Sequence, residues 1–487
     1  MKMTYTYYNW IVVKALVILM VSCTDDAIEF DSQQISDGEI TVIMTTEDGK
    51  SLLKEFPGKF KFTTDNLNIE QVLTIDEEIK GQVIDGFGAA LTGSSAFLLN
   101  GNTEALNSLF GPEELALTAL RLTIGASDFN KNESFTYNDL EEGSVQDLEL
   151  TGFSIEQDKT DENPIIPVTK EILKINPMIQ IMSAPWSAPA WMKTSGILNG
   201  GSLNNQYFDV YADYLIKYLN AYNNEGITID LISVQNEPLN ENSNYPTMKM
   251  DAESQAELIG SHLGPKLQNS FPQTKIVAYD HNFTEPENPD FAIEVLTDDK
   301  VKNYTNAVGF HAYNGSPQDM MLLNEKVPDA EIYFTEQSGI QNEGTTFGSE
   351  LNFFMRNVFI GPMRRGAKAV YLWNLALNEN FGPTNGGCTN CRGVLQITSG
   401  GTLFKNYEYY MLGHFSKYVK PGAVVIQSND PGDTFENIAF QNPDGSKVLI
   451  LYSTLDTTDV QDIEVKVGNK KFKASLPRRA LLTLLWD

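Results

Sequence analysis

Ile229-Asp230-Leu231-Ile232-Ser233-Val234-Gln235-Asn236-Glu237-Pro238 is the stretch on which the fold turns. A short apolar run stops at an amide, an acid and a proline. Before it lies a longer segment, Tyr207 to Tyr222, whose apolar residues recur at helical spacing. A strand-length run that follows a helix and ends in polar residues is one βα unit of a parallel sheet. The pattern repeats along the middle of the chain. Residues 82–87, 120–124, 179–183, 275–279, 307–311, 331–335 and 369–373 are further strand candidates, and 252–267 is a second helical stretch. Near-continuous apolar runs of this kind suit strands buried on both faces. Eight in series predict an α/β protein with a closed (β/α)8 barrel, the open doubly wound sheet being the fallback. The acidic, Asn-rich segment from Asn130 to Asn163 interrupts the series and reads as a long loop after the second strand.

Both ends of the chain have another character. Residues 39–44 alternate as a strand does, and residues 435–440 and 447–452 flank Asn442-Pro443-Asp444-Gly445, a hairpin signal. Further strands are predicted at 463–467 and 480–485. A length of 487 residues accommodates one barrel of about 250 residues and a smaller β-rich domain. The formal net charge of -29 excludes a nucleic-acid partner and repels an anionic membrane surface, whereas a neutral polysaccharide meets no such conflict. With four histidines the chain has little material for a His-rich metal site, and no metal or organic cofactor is expected.

The three cysteines report on compartment. Cys23 follows the apolar run Ile11 to Ser22, which Lys14 interrupts and which is too short to span a bilayer, so it reads as a secretory signal. Met20-Val21-Ser22-Cys23 is similar to a bacterial lipobox, in which the cysteine is acylated, although Met stands where Leu is usual. This predicts a cell-envelope protein, lipid-anchored at the outer-membrane surface and touching the membrane only through the lipid; an ordinary signal peptide and a secreted or periplasmic protein are the alternative. Cys388 and Cys391 form a C-x-x-C with no second ligand pair nearby, which in an oxidising compartment favours a local disulfide over metal or redox chemistry.

Functional groups of a (β/α)8 barrel sit at the C-terminal ends of its strands. Strand four runs into Asn236-Glu237-Pro238 and strand seven into Glu336. Strand two continues to Asp128, strand three to Trp186, strand six to His311 and Tyr313, and strand eight to Trp373. Acids, amides and aromatic rings at one rim suit a sugar. Glycosidic cleavage needs two carboxyl groups, about 5–5.5 Å apart if configuration is retained. Glu237 and Glu336, at comparable strand ends, are the candidates. Either alone would read as a salt-bridge partner, and His311 could be an ordinary rim histidine.

Several segments resemble glycoside hydrolase family 30: residues 84–92, Arg121 to Phe129, Ser183 to Thr194, Trp373 to Leu377 and Leu412 to Val419, together with Asn236-Glu237-Pro238 and Glu336. The resemblance implies that Glu237 is the general acid/base and Glu336 the nucleophile. It implies that Asp128 and Trp186 bind the sugar of the −1 subsite, that Trp373 borders it, and that Asn236 reaches its 2-hydroxyl. His311 and Tyr313 would line the pocket, Tyr313 bonding the nucleophile, and Arg121 would keep Glu336 ionised from behind. Trp191 and His414 are expected to be packing residues. The family also implies a β-sandwich side domain built from both chain ends. The expected division is a signal peptide over 1–23, a linker and side-domain strands over 24–80, the barrel over 81–417 and the C-terminal side domain over 418–487.

The expected activity is hydrolysis of a β-linked glucan with retention, foremost as an endo-β-1,6-glucanase. Glucosylceramidase or β-glucosidase and xylanase activities are the alternatives within the family, and a non-catalytic glycan-binding surface lipoprotein the alternative outside it. The loop from Pro383 to Gly393 is expected to shape one side of the cleft.

Overall fold

A computed structural model describes residues 38–487 except 58–59, 142, 431–433 and 458–459. The signal segment and Cys23 lie outside the described residues. Eight parallel strands close into a barrel: β1 (Gly86–Leu91), β2 (Ala119–Ile124), β3 (Gln180–Pro185), β4 (Leu231–Ser233), β5 (Lys275–Asn282), β6 (Ala307–His311), β7 (Glu331–Glu336) and β8 (Ala367–Leu372). Helices cover the outside, so the strands are buried on both faces, as their apolar composition requires. Among the described residues no helix is long and apolar enough to cross a membrane.

Seven of the sequence-predicted strands fall where they were read, give or take a few residues. The first does not. Gln82 and Val83 end a long side-sheet strand, Val72–Val83, and the barrel strand begins at Gly86. The cause is the composition of β1, Gly-Phe-Gly-Ala-Ala-Leu, which lacks the β-branched residues that mark a strand. Its small residues answer a packing demand instead: a Cβ on Gly88 would lie 1.7 Å from the Ala119 carbonyl oxygen on β2.

The lower half of the barrel is filled. Ala119, Met182, Leu231, Val277, Ala307, Tyr333, Ala369 and Tyr371 form one buried cluster drawn from β2 to β8. With the interior plugged there, a ligand can enter only from the C-terminal ends of the strands. Among its described residues, the loop after β2 carries no regular element beyond the short turn Glu156–Lys159 before the helix Ile165–Ile175.

Among the described residues, strands from before and after the barrel meet in a ten-stranded side sheet. Glu39–Thr45 pairs antiparallel with Leu481–Trp486, and Val72–Val83 lies between Val424–Ser428 and Gln461–Val467. The hairpin read from the sequence is present, Phe440 opposite Val448, with Gly445 at φ +92° in its turn. The sheet is tied to the barrel through the helix Tyr407–Ser416. His414 on that helix is fully buried, its Nδ1 2.8 Å from Thr483 Oγ1 and its Nε2 2.8 Å from Thr45 Oγ1. This is the packing role expected of it.

Candidate active site

The rim of the barrel is where the backbone departs from comfortable geometry. Glu237, four residues past the end of β4, has φ +48°; Tyr279 and Asp280 on β5 have +65° and +64°, and Asn374 after β8 has +58°. Non-glycine residues held in this region cost of order 1–3 kcal/mol each, and such strain persists where the surroundings over-determine it. At Glu237 the constraint is its own N–H, which donates to the Asp280 carbonyl at 2.9 Å. On β5 the ladder to β6 skips Asp280, Gly309 pairing with Tyr279 and Phe310 with His281. This bulge redirects Asp280, whose carboxylate meets Arg121 and His311.

These turns bring two acids face to face. Carboxylate oxygens of Glu237 and Glu336 lie within 4.8 Å of each other and of a His311 ring nitrogen. Glu336, the last residue of β7, is buried, its Oε2 accepting from Arg121 Nη1 at 2.5 Å and its Oε1 from the Tyr313 hydroxyl at 3.0 Å. Glu237 is less enclosed. Its Oε1 lies 3.2 Å from His311 Nδ1, and its Oε2 accepts from Asn240 Nδ2 at 2.7 Å.

Behind the pair stands Arg121, fully buried on β2. Besides Glu336 it donates through Nη2 to Asn236 Oδ1 at 2.7 Å and to Asp280 Oδ2 at 3.1 Å. Only a guanidinium fork can serve all three at once. Its bond to Asn236 Oδ1 leaves the Asn236 amide nitrogen as the donor available to a ligand. Trp186 and Trp373 stack on each other with centroids 5.0 Å apart, and Arg121 lies over both. Each ring is 3% exposed, so the two form a pocket wall beside Arg121 rather than an open platform.

Charges follow from these contacts. Burial opposes ionisation of Asp280, but Arg121 and His311 outweigh it and hold the carboxyl well below the usual range. Burial likewise opposes a charge on His311, yet Glu336, Asp280 and Glu237 lift it to about 9. The cationic imidazole then acts on Glu237: burial would raise that carboxyl, but the His311 bond and the neighbouring His281 and His311 bring it down to about 2. Glu336 is pushed up by burial, with Glu237 adding to the effect and His311 and Arg121 opposing it. The shifts therefore run opposite to the roles expected of the two acids, Glu237 down and Glu336 up from their ordinary values. Asp128 rises well above its ordinary value through burial and the charges of Glu336 and Glu237, and its Oδ1 is buried without a partner.

Glu237, His311 and Glu336 are, among the described residues, the one acid and histidine group close enough to hold a metal ion. The donor set does not fit one. Both oxygens of Glu336 already accept hydrogen bonds, and both nitrogens of His311 face carboxylates that keep the ring protonated.

Every rim residue read from the sequence reaches this pocket. Tyr313 is 42% exposed but still directs its hydroxyl at Glu336. Trp191 packs on Tyr207 and donates to Asn138 O at 3.0 Å, away from the acids. The reading missed Asp280, His281 and Asn240. Extending the fifth strand past Tyr279 into the polar run Asp280-His281-Asn282 would have found the first two. Cys388 and Cys391 are joined in a disulfide.

A closed βα barrel with two carboxyls meeting across its open mouth, backed by an arginine and flanked by buried tryptophans, is the framework of a glycosidase. Residues 84–419 match the Glycosyl hydrolase family 30 TIM-barrel domain and residues 422–484 the Glycosyl hydrolase family 30 beta sandwich domain. The chain is 31% identical over 446 residues to the endo-1,6-beta-D-glucanase neg1 of Aspergillus fumigatus, covering 84% of this chain and 87% of that protein. It is 32% identical over 448 residues to the endo-1,6-beta-D-glucanase of Neurospora crassa, covering 87% and 90%. Among solved structures, the endo-beta1,6-glucanase BT3312 superposes with a TM-score of 0.82 at 29% identity, covering 92% of this chain and all of that one. The chain belongs to glycosyl hydrolase family 30.

Proposed function

We propose that this chain is an endo-acting β-1,6-glucanase that works by double displacement, with Glu336 as nucleophile and Glu237 as acid/base. The observation that carries the mechanism is the approach of the two carboxylates to within 4.8 Å, close to the separation at which the second acid can attack the sugar itself. The fungal relatives named as endo-1,6-glucanases support the substrate, since each resembles this chain over more than four-fifths of its length.

In the first step Glu336 attacks the anomeric carbon while Glu237 gives its proton to the departing oxygen. Water then attacks the glycosyl-enzyme, Glu237 takes its proton, and the β configuration returns. The step needs one proton on Glu237 and none on Glu336. A sugar seated over Glu237 excludes water and raises its carboxyl, and the 3.2 Å contact then carries a proton from His311 Nδ1 to Glu237 Oε1. Arg121, 2.5 Å from Glu336 Oε2, stabilises the charge that the second requires. The imidazole left behind still donates through Nε2 to Asp280, 3.2 Å distant. Asn236 meets the sugar 2-hydroxyl, and Asp128 and the Trp186–Trp373 wall hold the ring.

Cys23 is the acylation site of an envelope lipoprotein in the same reading, supported by Met20-Val21-Ser22-Cys23 behind the apolar run. Palmitate labelling that vanishes in Cys23→Ala tests it. Product analysis on a linear β-1,6-glucan, xylan and glucosylceramide tests the substrate. Internal cleavage of the first into a ladder of oligosaccharides is expected. Exclusive turnover of either of the others overturns the substrate, and binding of the glucan without hydrolysis overturns the enzyme reading.

A further inference from the structure

The segment from Pro383 to Arg392 is a wall built from contacts to four different loops. Ser94 Oγ, on the helix after β1, donates to Pro383 O at 2.6 Å. Asn385 N donates to Asp128 O at 2.7 Å, and its side-chain nitrogen donates to Ser127 O and Ser134 Oγ at 2.9 and 2.8 Å. Gly386, at φ +81°, abuts Asn244 of the loop after β4, where a Cβ would meet the Asn244 carbonyl oxygen at 2.1 Å. Cys391 and Arg392 pair antiparallel with Gly339–Ile340, three residues beyond Glu336. The wall thus joins the Asp128 loop to the strand end that carries the proposed nucleophile.

It also approaches the proposed sugar contact. A Cβ on Gly387 would lie 2.7 Å from both the backbone oxygen and Oδ2 of Asp128, so bare backbone rests against that carboxylate. Yet Thr384-Asn385-Gly386-Gly387 has no regular structure and two adjacent glycines, a composition with much conformational entropy to lose. What fixes its far end is the disulfide. Cys391 is 5% exposed and packed among Phe129, Trp186 and Trp373, and through its sulfur it anchors Cys388, the residue after Gly387.

We propose that the Cys388–Cys391 disulfide is a positioning device for sugar binding, holding Gly386 against Asn244 and Gly387 against Asp128 so that the Asp128 carboxyl meets the hydroxyls of the −1 sugar from a dry, fixed position. This rests on the reading of Asp128 as a sugar contact. With the bridge open, the glycine pair is free to leave, water reaches Asp128 and the sugar competes with it. The effect falls on binding, because neither cysteine touches the reacting atoms.

The test measures binding without turnover, in the Glu336→Gln chain, by calorimetry with β-1,6-linked glucotetraose. Three forms are compared: the Glu336→Gln parent, the same chain with Cys388→Ser and Cys391→Ser, and the same chain with Asp128→Asn. The serine pair and Asp128→Asn are each expected to weaken binding at least tenfold. Dithiothreitol, which passes two electrons and two protons to the bridge and becomes a cyclic disulfide, should weaken the parent alike and leave the serine form unchanged. Parent-like binding by the serine form, even with a lowered melting temperature, overturns the inference while Asp128→Asn stays weak. Parent-like binding by Asp128→Asn overturns the assignment of Asp128, and the inference with it. No binding by the parent overturns the proposed substrate and everything built on it. Should the serine form fail to fold, the reduced parent decides: undiminished affinity with a fully reduced bridge overturns the proposal.

Discussion

Replacing Arg121 by glutamine should move the acid limb of the pH–activity profile upward. Arg121 donates to Glu336 at 2.5 Å inside a pocket from which both side chains are largely hidden, and a hydrogen bond to an ionised group is worth about 1.5–3 kcal/mol. That energy favours only the charged form of Glu336. At about 1.4 kcal/mol per pKa unit, losing it raises the carboxyl by about 1–2 units beyond the elevation that burial already imposes. Since attack needs Glu336 ionised, the acid limb of kcat/KM, which reports the free enzyme, should rise by the same amount. The assay is the rate of cleavage of a β-1,6-gluco-oligosaccharide by Arg121→Gln and wild type across the pH range in which both stay folded by circular dichroism. The variant also takes from Glu336 the cation bonded to it, while Asp280 keeps His311 at 3.2 Å, and this should cost about 3–5 kcal/mol of stability near neutral pH. That deficit shrinks as the pH falls, because Glu336 takes up a proton more readily in the folded than in the unfolded chain. An acid limb that stays in place or moves downward in a folded Arg121→Gln protein refutes the reasoning.

Two more predictions follow from single contacts. His414 is held neutral by burial, pulled down to about 3 from an unfolded value of about 6.5. Its contribution is intact above about pH 6.5 and is lost at about 1.4 kcal/mol per pH unit as the pH falls toward 3. Unfolding free energies of His414→Asn measured through that window should therefore slope less steeply than wild type by up to that amount, and equal slopes would contradict the assignment. Tyr313→Phe removes the hydroxyl that donates to Glu336 Oε1 and accepts from the Ser338 N–H at 3.1 Å. Steady-state kinetics should show kcat lower by about 10- to 100-fold with KM within about threefold; a kcat close to wild type would remove Tyr313 from the reaction.

The barrel was legible in the sequence because a strand buried on both faces must be apolar throughout, and β2, β3, β6 and β7 advertise this with valine, isoleucine and leucine. The first strand escaped because the close approach of Gly88 to Ala119 selects for small residues, and smallness carries no strand signature. Glu237 and Glu336 stood out because each ends such a run. Asp280 did not, since the bulge that turns it toward Arg121 breaks the alternation by which an inward-facing residue is recognised. Arg121 sits mid-strand, where a charge looks out of place on local grounds, and only the family resemblance gave it a partner. The opposite shifts of the two acids were hidden for a related reason. They depend on His311, Asp280 and Arg121 converging from three strands, a property of the assembled pocket that no single segment carries.

The proposed mechanism has Glu336 bonding to the sugar and Glu237 handling the proton. It is tested most directly by the anomeric configuration of the glycosyl azides formed when Glu336→Ala and Glu237→Ala act on an activated aryl β-glucoside in the presence of azide. Azide in the space left by Glu336 should attack the opposite face and give the α-glucosyl azide, whereas the Glu237 variant, still able to form its glycosyl-enzyme, should give the β anomer. A β product from Glu336→Ala, or turnover in that variant at the wild-type rate without azide, would contradict the assignment.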